Sequence, residues 1–194
     1  CFIICITLSM SLFQNTHSDL RKSYMRYVVT GSTGFVGQNI VRALLKMGKQ
    51  VISLTTNPNI NNEVLKNING SQVTYAGSLH LVQKSLLESA TIIHCAWSNV
   101  QDIIHPSHHE HVLEQIDFLN LIAESNAKKL VITGTCYEFG MNEGPMSISS
   151  KTAPNTPYAK AKNKVHQAAM NIISKNTDID FTWARLFYIY GDGQ

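Results

Sequence analysis

A chain of 194 residues is long enough for one domain with a substantial core and too short for two domains of typical size. Its hydrophobic fraction of 44% and charged fraction of 15% are typical of a soluble globular protein, and a net charge of +3 with scattered basic residues argues against a nucleic-acid or membrane-surface partner. The four cysteines lack the spacing of a metal site or a secreted disulfide framework, so we expect a reducing, cytoplasmic setting.

The N-terminal residues differ in composition from the rest of the chain. Residues 1–13 are apolar and uncharged, but this stretch is too short to span a bilayer as a helix and has no basic segment before it. We expect residues 1–24 to be an extension outside the fold, with a targeting segment as the alternative. Met25 directly precedes the first strand-like run, so the folded domain is expected over residues 25–194.

A glycine-rich run follows the first strand-like segment. The apolar residues 27–29 lead into Thr30-Gly31-Ser32-Thr33-Gly34-Phe35-Val36-Gly37, which precedes an amphipathic stretch. Gly31 permits a tight reversal, Gly34 lets backbone amides approach a pyrophosphate, and Gly37 permits close packing of the helix on the sheet. The free amides and the positive dipole end of that helix favour an anion. The run therefore predicts a dinucleotide-binding turn.

Strand-like and helix-like periods alternate from Met25 onward. Strands are predicted over residues 26–30, 50–55, 72–75, 91–96, 129–134 and 180–185. Helices are predicted over residues 35–47, 79–88, 109–126 and 157–175, with a poorer polar one near 61–68. This alternation predicts an α/β fold, a Rossmann-type doubly wound parallel sheet with helices on both faces and the ligand at the carboxyl ends of the strands.

A tyrosine and a lysine lie four residues apart in the last predicted helix. Tyr158 and Lys162 follow Pro157, a good first-turn residue, and at this spacing their side chains share one face of the helix. A phenol has an ordinary pKa of about 10, and a nearby ammonium stabilises the phenolate and lowers that pKa. The pair is a candidate for proton exchange with a substrate, and Thr135 is the candidate for an assisting hydroxyl.

Five segments in order resemble the extended short-chain dehydrogenase/reductases and, more narrowly, the NAD-dependent epimerase/dehydratase family acting on nucleotide sugars. The segments are Thr30 to Gly37, Ile93-His94-Cys95-Ala96-Trp97, Thr133-Gly134-Thr135-Cys136-Tyr137-Glu138-Phe139-Gly140, Pro157-Tyr158 with Lys162, and Arg185-Leu186-Phe187-Tyr188-Ile189-Tyr190-Gly191. The resemblance implies that Tyr158 is the catalytic acid/base, Lys162 its partner and Thr135 the assisting hydroxyl. It also implies that the cofactor-binding residues are Gly31, Thr33, Gly34, Phe35, Val36, Gly37, Ala96, Tyr158 and Lys162.

The resemblance further implies a nucleotide-sugar 4-epimerase or 4-ketoreductase that uses NAD or NADP, with a small C-terminal substrate domain that this chain lacks. Two alternatives stay open, a non-catalytic dinucleotide-binding module and an inactive fragment of such an enzyme. Relatives often dimerise through their two long helices, here 109–126 and 157–175, so the resemblance also suggests a homodimer.

Several positions depart from the family pattern. Cys136 and Tyr137 stand where the dehydratase branch has an acidic pair, so dehydratase chemistry is not expected. The second strand ends at residues 54–57 without the acidic residue that would bind the ribose of NAD and without an Arg for the phosphate of NADP, which leaves the choice of cofactor open. Ser78 replaces an Asp near the adenine, and Tyr188 replaces the usual Asn.

A histidine-rich stretch precedes the third long helix-like segment. Four of the seven residues over 105–111 are histidines, a density that can indicate a metal site. This stretch lies where the family has a variable loop near the substrate mouth, and the chemistry of the family needs no metal. We therefore predict no functional metal.

Overall fold

The computed structural model describes residues 25–57, 59–60, 64, 68–173 and 178–191. The expected extension over residues 1–24 lies outside the described residues, as does most of the poorer polar helix near 61–68.

Six parallel strands form one sheet. They are β1 (Arg26–Thr30), β2 (Gln50–Thr55), β3 (Gln72–Tyr75), β4 (Thr91–His94), β5 (Lys129–Thr135) and β6 (Asp180–Leu186). Their order is β3-β2-β1-β4-β5-β6, and every neighbouring pair is parallel. The chain winds outward from β1 in one direction and then, from β4, in the other, so the carboxyl ends of β1 and β4 form the crevice where such sheets bind ligands. The predicted doubly wound sheet is confirmed.

Helices connect the strands and cover both faces of the sheet. Those with described bounds are α1 (Phe35–Lys46), α2 (Lys84–Leu87), α3 (His108–Ala123) and α4 (Pro157–Ile173), with short 3-10 turns at Leu79–Leu81 and Cys136–Phe139. Among the described residues, no helix is long and apolar enough to cross a membrane.

The central strand β1 is buried from both sides. Val28 packs into the core shared with α3 and α4, whereas Tyr27 and Val29 pack into a second core with Val41 and Leu44 of α1. Adjacent residues of a strand point to opposite faces, so a run of apolar residues serves both cores. This double burial places the carboxyl end of β1 rigidly at the centre of the molecule.

The predicted helix over residues 79–88 is wrong. The chain forms a 3-10 turn at Leu79–Leu81, becomes extended at Val82 and Gln83, and resumes with the one-turn helix α2. The Glu114 side chain of α3 accepts the backbone N–H of Leu79 at 3.1 Å, and both Val82 and Leu87 are buried. Tertiary contacts with α3 therefore outweigh the local helical pattern.

Candidate active site

The glycine-rich turn closes against the end of β4. Gly31 has a φ of +63°, a conformation that favours glycine, and a Cβ placed there would lie 2.8 Å from the backbone N and Cα of Ala96. The Gly34 N–H donates to the Gly31 carbonyl at 3.0 Å. The predicted tight reversal at Gly31 is confirmed, and the structure adds that this position must lack a side chain because Ala96 approaches so closely.

The start of α1 packs directly on this turn. A Cβ at Gly37 would overlap the carbonyl oxygen of Gly31. The contact that Gly37 permits is therefore with the turn itself, and not with the sheet as predicted. Gly34 precedes the helix and offers no capping side chain, which leaves the first amides, those of Phe35 and Val36, at the positive end of α1. Close backbone packing and uncapped amides together suit a pyrophosphate.

Two side chains hold the turn in place. The Ser32 hydroxyl is buried and donates to the carbonyl of Leu54 near the end of β2 at 3.2 Å. The Gln38 amide donates to the Thr33 carbonyl at 2.9 Å. Thr33 thus contributes its backbone to the structure of the turn.

A closed ring of hydrogen bonds fixes the loop after β4. The Ala96 N–H donates to the Thr30 hydroxyl at 3.3 Å, and this hydroxyl lies 2.6 Å from His94 Nδ1. On the other side of the ring, His94 Nε2 lies 2.6 Å from Gln115 Oε1, and the Gln115 amide reaches the Ala96 carbonyl at 3.5 Å. An amide oxygen can only accept, so the imidazole proton lies on Nε2 and Nδ1 accepts from Thr30. Both backbone groups of Ala96 are therefore held by buried side chains.

The three predicted catalytic residues come together beside this loop. Thr135 ends β5, Tyr158 and Lys162 share the buried face of α4, and all three are at most 9% exposed. The Thr135 hydroxyl lies close enough to the Tyr158 phenol to lower its pKa. The Lys162 ammonium donates to the Thr133 carbonyl at 2.9 Å and lies 4.2 Å from the centre of the Trp97 ring. The side chains thus form one cluster at the carboxyl ends of β4 and β5.

The pKa of Tyr158 is raised, whereas the sequence predicts that it is lowered. Burial raises the pKa of Tyr158 to about 12, and although the Thr135 hydrogen bond opposes this, the charge of Glu138 adds to it. Burial also lowers the pKa of Lys162 to about 8, against the attraction of Glu138. The expected lowering of the phenol pKa by Lys162 is wrong for this arrangement because the ammonium faces Thr133 and Trp97.

Aromatic rings form a wall around the Tyr158 phenol. The ring centres of His108, Trp97 and Tyr137 lie 5.1, 5.9 and 6.4 Å from that of Tyr158. The backbone N–H of Tyr158 also donates to the Ile103 carbonyl at 3.1 Å, which ties the start of α4 to the loop before α3. These contacts limit the freedom of the Tyr158 side chain from several sides.

The histidine-rich stretch contributes to this wall. His108 is fully buried, accepts the Trp97 indole N–H at Nδ1 (3.1 Å), and lies 2.8 Å from the Asp102 carbonyl through Nε2. Within the described part of the chain, no group of three His, Cys, Asp or Glu side chains is placed to hold a metal ion. The role of His108 was missed because the stretch was interpreted as a variable loop.

Glu138 is a second residue of the site that has no predicted role, a fully buried carboxylate bonded to the backbone of Thr135. Its Oε1 accepts the Thr135 N–H at 2.8 Å, and the Thr135 hydroxyl in turn accepts the Tyr137 N–H at 3.3 Å. The spacing Thr-x-x-Glu after a strand is the signature of a capping box and could have indicated the contact.

The end of β2 carries no charged side chain toward the cofactor crevice. The Thr55 hydroxyl accepts the backbone N–H of Asn57 at 3.0 Å, and Asn57 is exposed. A neutral Asn at this position neither attracts a ribose hydroxyl as strongly as a carboxylate nor repels a phosphate.

Known proteins match this sequence and this fold. The profile of the NAD dependent epimerase/dehydratase family matches residues 27–194. The NAD(+)-dependent dTDP-6-deoxy-L-talose 4-dehydrogenase of Aggregatibacter actinomycetemcomitans is 30% identical over 172 residues, which cover 87% of this chain and 63% of the relative.

Solved structures share the fold at lower identity. A UDP-N-acetylglucosamine 4-epimerase from Methanobrevibacter ruminantium superposes with a TM-score of 0.73 at 21% identity, covering 86% of this chain and 56% of that protein. The UDP-glucose 4-epimerase of Thermus thermophilus, in complex with NAD, superposes with a TM-score of 0.69 at 22% identity, covering 88% and 57%. The chain thus spans less than two thirds of the length of these relatives. From the family match and the shared fold, the chain belongs to the NAD dependent epimerase/dehydratase family.

Proposed function

We propose that this chain carries the catalytic centre of an NAD-dependent oxidoreductase that acts at C4 of a nucleotide sugar, as a 4-dehydrogenase or, in the reverse direction, a 4-ketoreductase. The observation that carries the proposal is the buried cluster of Thr135, Tyr158 and Lys162 at the carboxyl ends of β4 and β5, in which the Thr135 hydroxyl lowers the pKa of the Tyr158 phenol. The similarity to a dTDP-6-deoxy-L-talose 4-dehydrogenase supports a dTDP-linked 6-deoxyhexose as the substrate class.

The glycine turn fits a dinucleotide. Side chains at Gly31 and Gly37 would collide with backbone, and the start of α1 presents uncapped amides in the crevice between β1 and β4. We propose that the backbone of Gly34, Phe35 and Val36 binds the pyrophosphate. Ala96, which is fixed by the ring of hydrogen bonds through His94, would line the nicotinamide side of the site.

The residues of the cluster divide the chemistry between them. Bound NAD supplies the acceptor for the hydride that leaves C4. In the oxidising direction Tyr158 would act as the phenolate, which takes the proton of the C4 hydroxyl and becomes the neutral phenol while the carbon becomes a ketone. The Thr135 hydroxyl would stabilise that phenolate by donating to it. Lys162 contributes a buried ammonium beside Thr133 and Trp97, and would offer N–H groups to the ribose of the cofactor. In the reducing direction Tyr158 returns the proton to the oxygen.

The alternatives make different demands on the same site. A 4-epimerase uses the same proton transfer at Tyr158 but must also release and turn the ketone so that the hydride returns to its other face. The solved 4-epimerases share the fold, but at 21% and 22% identity they support the fold alone. A non-catalytic dinucleotide-binding module would need neither the phenol nor the ammonium.

The test is an assay of the purified chain with NAD and a panel of UDP-, GDP-, CDP- and dTDP-linked sugars that includes dTDP-6-deoxyhexoses. A dehydrogenase accumulates reduced nicotinamide and a 4-keto sugar in equal amounts, whereas an epimerase produces the C4 epimer without net reduction. Lys162→Met should lower turnover roughly 100-fold, because the N–H groups that would hold the ribose of the cofactor are lost. Lys160→Met is the matched control, since Lys160 is exposed on the same helix. NAD binding without turnover of any sugar would favour the non-catalytic module or the inactive fragment.

A further inference from the structure

The active-site cluster rests on a buried carboxylate that the proposed reaction does not use. Glu138 lies in the 3-10 turn Cys136–Phe139, directly after Thr135, and its side chain is fully buried. A buried carboxylate is costly unless its oxygens are hydrogen-bonded and its charge is paired. The partners of Glu138 therefore indicate what the side chain does.

Those partners come from three separate parts of the fold. Oε1 accepts the backbone N–H of Thr135 at 2.8 Å. Oε2 accepts Nε–H of Arg185 at 2.8 Å, and the Trp183 indole N–H lies 3.1 Å from both oxygens. His166 of α4 stacks on Trp183 with ring centres 4.6 Å apart and has Nδ1 3.9 Å from Oε2. Glu138 thus links the end of β5 to β6 and to α4.

Glu138 bonds the backbone of Thr135, the residue whose hydroxyl belongs to the active-site cluster. The Thr135 hydroxyl accepts the Tyr137 N–H within the capping box that Glu138 completes, and it lies near the Tyr158 phenol, whose pKa it lowers. A shift of the Thr135 backbone would move this hydroxyl away from the phenol. Arg185 of β6 is the ion-pair partner of the Glu138 carboxylate. The carboxylate is therefore held by a residue outside the 3-10 turn that contains Glu138.

We propose that Glu138 is a positioning residue that sets the Thr135 hydroxyl against the Tyr158 phenol by clamping the Thr135 backbone to Arg185 and Trp183 of β6. The catalytic consequence rests on the function proposed above, whereas the clamp itself does not. A carboxylate that merely stabilised the fold would not act through the hydroxyl of one residue, and this difference can be measured.

The kinetic test is a double-mutant cycle between Glu138 and Thr135. Glu138→Ala should lower kcat roughly 10- to 100-fold in the otherwise unchanged enzyme, with the KM for NAD little altered, because the hydroxyl is misplaced. In the Thr135→Ala background, which lacks that hydroxyl, the same change should lower kcat less than about 3-fold. An equal fold-change in both backgrounds would overturn the proposal. Asp180→Asn is the control, since it breaks the ion pair with Lys129 at the opposite end of β6 and should leave kcat unchanged.

A second measurement needs no substrate. Amide hydrogen exchange, followed by NMR, should be at least ~10-fold faster at Thr135 and Tyr137 in Glu138→Ala, with the amides of β1 unchanged. Glu138→Gln is the more conservative variant, since its amide oxygen still accepts the Thr135 N–H while its NH2 group opposes Arg185; it should give an intermediate exchange rate and replaces Glu138→Ala if that variant does not fold. If the enzyme turns over no sugar, the proposed function fails and the exchange data alone decide on the clamp. Unchanged exchange at Thr135 would overturn it.

Discussion

Replacing His94 should change how the stability of the protein depends on pH. Burial lowers the pKa of His94 to about 4 from its ordinary 6.5, with the nearby Lys162 charge acting in the same direction and the Gln115 hydrogen bond opposing it. The folded protein therefore keeps this imidazole neutral at pH values where the unfolded chain protonates it. Stability is fully present above pH 6.5 and is lost as the pH falls toward 4.

The size of the effect follows from the two pKa values. Linkage between 6.5 and about 4 gives a loss of about 2 kcal/mol in the free energy of unfolding between pH 7 and pH 5, and about 3 kcal/mol on complete titration. This is a large part of the roughly 5–15 kcal/mol that stabilises a typical domain.

The assay is urea unfolding, followed by circular dichroism at constant ionic strength between pH 7 and pH 5. His94→Asn removes the titrating group, so the variant starts less stable but should lose about 2 kcal/mol less than the parent protein over this range. The pKa of His166 is also lowered by burial, but this contribution is common to both proteins and cancels in the comparison. His109→Asn, at an exposed position, should keep the parental pH dependence. Parallel pH profiles for the parent and His94→Asn would refute the buried, neutral imidazole.

Three further predictions concern the cofactor turn, cofactor choice and assembly. Gly31→Ala should abolish NAD binding and should destabilise the fold more than Gly48→Ala in urea unfolding. Both glycines have a positive φ, but of the two only Gly31 faces backbone within 4 Å. Equal destabilisation by the two substitutions would contradict the role of the close approach between Gly31 and Ala96. Asn57→Asp should increase the ratio of NADH to NADPH affinity in fluorescence titrations by roughly 10-fold, because a carboxylate binds the ribose hydroxyls and repels a phosphate; an unchanged ratio would contradict this placement of the adenosine ribose. The exposed Leu113 of α3 and Met170 of α4 favour a homodimer through these helices, and a monomer mass in light scattering would count against it.

The sequence predicted the fold well because the strands carry strong local signals. The apolar runs of β1, β4 and β5 are buried on both faces, and Pro157 begins α4 at the predicted residue. The prediction of a helix over 79–88 failed for the opposite reason, since the N–H of Leu79 is bonded by Glu114, a residue distant in the chain.

The candidate site was predicted in part. Thr135, Tyr158 and Lys162 could be found because their order and spacing are local features of the sequence. Glu138 and His108 could not be assigned roles in this way. The partners of Glu138 on β6 lie more than 40 residues further along the chain. The buried position of His108 involves a hydrogen bond from Trp97, which lies in the loop after β4. The shift of the Tyr158 pKa also depends on burial, which the spacing of two residues does not report.

Proton transfer by Tyr158 is tested most directly by the rate of NAD reduction. This rate is compared between the parent protein and Tyr158→Phe, with the nucleotide sugar on which the parent is most active. Tyr75→Phe serves as the control, since Tyr75 is an exposed tyrosine on the edge strand β3. If Tyr158 transfers the proton of the C4 hydroxyl, Tyr158→Phe should lower kcat roughly 100-fold or more while NAD affinity changes little, and Tyr75→Phe should match the parent. Turnover by Tyr158→Phe at the parental rate would show that Tyr158 does not transfer this proton.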